Sequence, residues 1–230
     1  MSRAKENWYF LGTIFILALF LGRPSAVVSK PAVDVVVDLS GFVLILIGLL
    51  IRTVSRDWKS NHGNDNLVTD GPYEIVRNPM YLGSLFTGSG LCFIFGSLPF
   101  LLVFIAVFLI SHQLIVRREE KYLRKHYPEK FEDYIRETPA WFPTITGFGR
   151  LISCSFLWIQ SVPRAILREK NAIGGNLVGA CLLEAIADSI ALGWASSQSE
   201  VIFWLIVALF LSLIWLVGGK MLQAHAGPAT

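Results

Sequence analysis

Long unbroken apolar runs constrain this chain more than any other feature. They cover Trp8 to Gly22, Val33 to Ile51, Tyr81 to Phe95, Leu98 to Val116, Ile173 to Ala195 and Val201 to Gly218. Crossing a bilayer takes about 20 such residues in helical form. Every backbone N–H and C=O inside the lipid must be paired within the protein, which a helix does within one segment. Charged residues make up 16% of the chain, against about 25% in an ordinary soluble domain. The fold class expected is therefore an all-α integral membrane protein. The first run follows Arg3 and Lys5 as a signal peptide would. Gly22-Arg23-Pro24 at its end is not a small-residue cleavage site, so it is read as a retained first span.

Charge places the remaining ambiguous stretch. Leu151 to Leu167 is apolar but contains Gln160 and Pro163, and Arg150, Arg164 and Arg168 flank it. If the N-terminus is cytoplasmic and this stretch lies on the membrane without crossing, eighteen of the twenty Lys and Arg fall on the cytoplasmic side. Only Arg23 and Lys30 then face outward, as the positive-inside tendency favours. The expected topology is about six transmembrane helices and one interfacial helix, with the polar stretches between the spans on the cytoplasmic side. Leu98-Pro99 after Gly96-Ser97 is a turn signal that makes the third and fourth spans a tight hairpin.

Other polar features within the apolar runs are read as structural. Cys92, Cys154 and Cys181 have neither metal nor redox spacing and read as small packing residues. The four histidines are scattered, so no metal site is expected. Glu184 and Asp188 sit one turn apart near the middle of a span, where ionisable groups are costly. Gly175, Gly179, Ala180, Ala187 and Ala191 around them read as a packing face, so a structural and a functional reading both stand. Asp34 and Asp38 fall at the outer end of the second span, within reach of water, and no role is expected for them.

Two polar stretches between the spans carry the chemistry. One tightens into LVTDGPYEIVRNPMYLG, residues 67–83, followed by Gly88-Ser89-Gly90. The other, RREEKYLRKHYPEKFEDYIRETPAWFP, places Leu123, Tyr127, Phe131 and Tyr134 on one helical stripe. The RNPMY segment also reads as a helix start, with Asn78 as cap and Pro79 at the first helical position. Glu119 and Glu120 follow a long apolar helix, at the passage from membrane to water.

These blocks resemble the signature of the isoprenylcysteine carboxyl methyltransferase and phospholipid methyltransferase group of membrane enzymes. The usual form is LVT-x-G-x-Y, then R-H-P-x-Y-x-G, then an acidic pair with spaced aromatics. Together the blocks cover residues 43–143, the expected methyltransferase core. Residues 1–42 would add N-terminal membrane helices, and residues 144–230 the interfacial helix and a transmembrane hairpin of unknown role.

The resemblance implies S-adenosyl-L-methionine as cofactor and a lipid or prenylated small-molecule substrate entering from the membrane. Neither nucleic acid nor metal is implied as a partner. It carries cofactor contacts onto Leu67, Val68, Tyr73, Asn78, Pro79, Met80, Tyr81 and Glu119, and, from the phospholipid enzymes, onto Gly88, Gly90, Glu119 and Glu120. Arg77, Arg117 and Arg118 are the candidates for holding substrate. The residue types suit such a ligand: carboxylates for its cationic end, donors for its carboxylate, and aromatic surface for the base.

Three departures stand out. Asn78 replaces the motif histidine and cannot carry a proton charge. Ile115 stands where the carboxyl methyltransferases have an arginine, and the closing Pro139 lacks an arginine neighbour. No residue is an obvious general base, which favours a carboxylate acceptor, since an ammonium must first lose a proton. Methylation of a carboxylate leads, and N-methylation of a phospholipid or other amine is the alternative. A transporter or partner-binding subunit using Glu184 and Asp188 is the rival from another class. The compact loops suggest a prokaryotic inner membrane, with the active site facing the cytoplasm.

Overall fold

The computed structural model describes residues 31–63 and 66–225, and these are helical with short connections. The helices are α1 (Pro31–His62), α2 (Pro72–Ile75), α3 (Pro79–Ile94), α4 (Leu98–His126), α5 (Pro128–Glu137), α6 (Ile145–Leu192) and α7 (Trp194–His225). The expected span at Trp8 to Gly22 lies outside the described residues. The other expected spans fall in α1, α3, α4, α6 and α7. Within them Val33–His62, Leu98–His126, Ala165–Leu192 and Trp194–Val217 are long and apolar enough to cross a bilayer. The chain is an all-α integral membrane protein.

Prolines punctuate it. Pro72, Pro79, Pro99 and Pro128 stand in the first turns of α2 to α5, where a missing N–H costs no helical bond. One break falls where the sequence suggests continuity. Leu123, Tyr127, Phe131 and Tyr134 are not on one helix, because α4 ends at His126 and α5 restarts at Pro128, with Tyr127 in between at φ −136°. The four side chains still meet in one apolar cluster. The opposite holds for Leu151 to Leu167. It is no separate helix but the first half of α6, which runs unbroken through Pro163. At about 1.5 Å per residue, the 48 residues of α6 far exceed a bilayer's thickness. Gly147 lies beside the Ile75 carbonyl, and Arg168 pairs with Asp57 at 2.9 Å, so both ends of this stretch sit at the polar end of the bundle.

The α1–α3 contact is the tightest in the bundle. The helices run antiparallel, with Gly48 against Gly83 and Gly41 against Gly90. A Cβ on Gly48 would stand 2.5 Å from the Gly83 carbonyl oxygen, and one on Gly90 2.5 Å from that of Gly41. Small residues let helices in lipid approach to backbone contact. The α3–α4 contact is different: Phe100, Phe104 and Phe108 fill it with rings.

At α3, 16 residues give a length of about 24 Å, short of the hydrocarbon layer's thickness of about 30 Å. Both α1 and α4 are longer and project past the start of α3, and α2 and α5 close over that end.

The opposite end of the bundle is acidic. Asp38 of α1 meets Glu184 of α6 carboxyl to carboxyl, with Asp34 and Asp188 alongside. Ala180 and Ala187 pack as expected, but Gly175 and Gly179 face open space.

Candidate active site

At the polar end the two motif stretches dock on each other. The Arg77 side chain is the main fastener. Its Nε and Nη2 donate to Glu120 Oε1 at 3.2 and 3.0 Å, and Nη1 donates to the carbonyls of Thr138 at 2.7 Å and Ile135 at 3.3 Å. Those carbonyls end α5, where a cation is favoured by the helix dipole. The Arg77 N–H donates to the Pro139 carbonyl at 2.8 Å. This arginine, expected to hold substrate, is engaged in joining α3's start to α5's end. Arg117 and Arg118 are exposed on α4.

Asn78 occupies the cap position of α3, but its side chain does not cap. Nδ2 instead donates to the Ala140 carbonyl at 3.0 Å. The motif histidine's position therefore ties the two blocks together in this chain.

Tyr81 leads to the acidic pair. Its hydroxyl donates to Glu119 Oε1 at 3.1 Å. Tyr73 is close to both, near enough for Glu119 to raise its pKa further. Burial, the larger cause, pushes the Tyr73 and Tyr134 phenols well above their usual range, so both stay neutral donors. Tyr134 donates to the Tyr73 carbonyl at 2.6 Å. Beneath them Val68, Tyr73, Phe131 and Tyr134 are buried, with Leu67 and Trp58 packed against them. Gly71 allows this: its φ is +60°, and a Cβ there would stand 2.4 Å from the Trp58 ring.

The sequence-derived set thus divides. Asn78, Met80, Tyr81, Glu119 and Glu120 are half-buried and gather where α3 and α4 leave the bundle. Val68, Tyr73 and Pro79 are buried beneath and support them. Gly88 and Gly90 lie elsewhere: a Cβ on Gly88 would meet the Phe104 ring at 2.1 Å, while Gly90 faces Gly41 and Ile45. Their surroundings are neighbouring helices.

His112 joins the site without having been singled out. It is 8% exposed, its ring stacks on Phe108 at a centroid distance of 3.7 Å, and it meets Tyr81 edge-on at 5.1 Å. A lone histidine in an apolar run gives little signal, but it stands seven residues before Glu119, two helical turns along the same face.

Electronegative groups and aromatic rings at a membrane boundary suit a cationic ligand. The Glu119 carboxylate would meet a sulfonium or ammonium, and the Tyr81 ring adds the attraction of a π face for a cation. Among the described residues, no group of three or more His, Cys, Asp or Glu is placed to hold a metal ion.

Comparison with known proteins matches part of the chain. Residues 36–130 match the family model of the phospholipid methyltransferases. The chain is 34% identical over 105 residues to the cobalt-zinc-cadmium resistance protein CzcN of Cupriavidus metallidurans, covering 44% of this chain and 48% of that protein. It is 32% identical over 107 residues to the nickel-cobalt-cadmium resistance protein NccN of Alcaligenes xylosoxydans xylosoxydans, covering 45% and 50%. The chain spans about half the length of the curated relatives it matches. No solved structure matches it.

Proposed function

From the premise that residues 36–130 carry the phospholipid methyltransferase family pattern, of the group that includes the isoprenylcysteine carboxyl methyltransferases, we propose that the chain transfers a methyl group from S-adenosyl-L-methionine to a lipid-like acceptor. The observation that carries this reading is the docking of the two motif blocks, which sets Tyr81 on Glu119 and Arg77 on Glu120. When bound, S-adenosyl-L-methionine supplies a methyl group already activated by its sulfonium. The protein's work is then alignment and exclusion of water. Glu119 binds the cationic end, Tyr81 holds that carboxylate in place, and Met80 and Leu67 offer apolar surface to the base. Arg117 and Arg118, exposed beside the pair, are placed for an anionic headgroup. The acceptor is a membrane lipid or prenylated molecule, methylated on a carboxylate or on an amine. The active site faces the cytoplasm of a prokaryotic inner membrane.

Glu119→Gln is expected to weaken S-adenosyl-L-methionine binding at least tenfold. A charge-assisted partner is worth about 1.5–3 kcal/mol, and about 1.4 kcal/mol is a factor of ten. Titration calorimetry on the detergent-purified chain measures it, and an unchanged affinity would leave Glu119 as a solvated surface group.

Orientation has its own test. A cysteine placed at Lys170 is expected to resist membrane-impermeant maleimide in intact cells and to react in inverted vesicles. Labelling from outside would reverse the topology.

A further inference from the structure

A small cavity lies at the acidic end of the bundle, away from the motif residues. Asp34 of α1 and Glu184 and Asp188 of α6 line it, together with Phe95, Gly96 and Ala187. Its free space suits one water-sized group. Glu184 is 4% exposed, and its Oε2 is buried without a hydrogen-bond partner. A buried acceptor left in this state costs the full desolvation of that atom. Ser97 Oγ, one residue beyond Gly96, is also buried and unpartnered. Among the described residues, the charges acting on the lining carboxylates are each other's, that of Asp38 and that of Glu200 on α7. All of these are acidic. The last turn of α3 ends at the cavity and adds the negative end of its helix dipole.

Such a place calls for a positive ligand, and its build narrows the choice. Among the described residues, no three of these carboxylates converge as a metal ion requires. An ammonium makes hydrogen bonds of about 2.7–3.2 Å between heavy atoms, so it reaches acceptors set further apart than metal ligands. Its three donors equal the lining carboxylates in number. It is also close to water in size, which a trimethylated nitrogen is not. Phe95 and Ala187 give the wall an apolar part for the carbon attached to the nitrogen.

We propose that this cavity binds a primary ammonium group carried on an apolar chain. The nitrogen lies among Glu184, Asp188 and Asp34, and the first methylenes lie against Phe95 and Ala187. An aminolipid of the adjoining leaflet and a free alkylamine offer the same chemistry. The site is separate from the one at Glu119 and does not rest on the methyltransferase reading.

The test uses the full chain in phosphatidylcholine nanodiscs near neutral pH, with empty nanodiscs to correct for partitioning. Calorimetry with hexylammonium is expected to show saturable binding at one site. Hexyltrimethylammonium, equal in charge but bulkier and without N–H, should bind at least about tenfold more weakly. Glu184→Gln and Asp188→Asn should each weaken hexylammonium at least about tenfold, the scale of a lost charge-assisted hydrogen bond. Glu119→Gln, at the other end of the bundle, should stay within about twofold, as distant sites act independently. Replacing part of the phosphatidylcholine by phosphatidylethanolamine separates the sources. Competition with hexylammonium assigns the site to a lipid amine, and undisturbed binding assigns it to a soluble one; either supports the proposal. No saturable binding to the parent overturns it, leaving the cluster neutralised by protons alone. Equal affinity for the trimethylated probe overturns it as mere charge attraction. Unchanged affinity in Glu184→Gln and Asp188→Asn overturns it by placing the ligand elsewhere. Binding that appears only after Lys30→Met would give the cavity to the chain's own lysine, and calcium bound in place of hexylammonium would make it a metal site; both overturn it. Should Glu184→Gln fail to fold, Asp188→Asn decides by the same measure.

Discussion

Gly48→Leu is expected to abolish the α1–α3 contact, and even Gly48→Ala to cost about 2–3 kcal/mol, within the range for overpacking a filled interior. The atoms a new Cβ would meet are the Gly83 carbonyl oxygen, the Thr87 amide nitrogen and Thr87 Oγ1, all at 2.5 Å. Two of the three are backbone and cannot turn aside as the end of a flexible side chain could, so the helices themselves must separate. Separation at Gly48 also disturbs Gly41 and Gly90, because the four glycines form one continuous seam. Gly175→Ala is the matched control. It stands on a helix exposed to open space, so gaining a methyl there should be neutral or slightly stabilising through helix propensity. Thermal unfolding in detergent compares the three. Equal melting temperatures for Gly48→Ala and the parent would mean that the seam is looser than its geometry.

The second large effect is expected at Arg77. Replacing it by Met keeps the volume but strips Glu120 of its partner and two α5 carbonyls of their donor. Breaking a buried ion pair from one side costs about 3–5 kcal/mol. Arg77 and Glu120 retain 13% and 24% of their side-chain exposure, so about 3 kcal/mol is expected. Loss should concentrate at the docking of α5 on the start of α3. Amide exchange over residues 128–140 should rise sharply while exchange in α1 and α3 stays slow. Arg77→Lys should recover only part, since an ammonium cannot reproduce the planar fork. Unchanged exchange over 128–140 in Arg77→Met would show that the apolar cluster around Phe131 holds α5 by itself.

The spans were legible because lipid imposes one requirement on every residue of a run. The breaks were less so. Pro163, Gln160 and the flanking arginines suggest an end to the helix that α6 does not take, while Pro128 breaks a stripe whose spacing reads as continuous. Both stretches meet partners distant in sequence: Arg168 of α6 pairs with Asp57, and α5 packs in the Tyr73 cluster.

Within the site, the residue types named by the motifs could be read from the sequence, but their pairings could not. Nothing in the order of residues says that Arg77 will be held by the end of α5, or that Asn78 will reach across to Ala140. The surroundings of Gly88 and Gly90 could be known only once α1 and α4 were in place. His112 was hidden for a related reason: its chemical neighbour, Tyr81, lies on another helix.

The two sides of α3 differ in how they can yield. Toward α1 it meets backbone, whose atoms have no alternative positions short of moving a whole helix. Toward α4 it meets phenyl rings, which can tilt and exchange rotamers within a fixed frame. Thermal motion therefore falls on the α4 side, which also carries His112 and Glu119. The glycine seam acts as the anvil of the bundle and the ring-filled seam as its cushion.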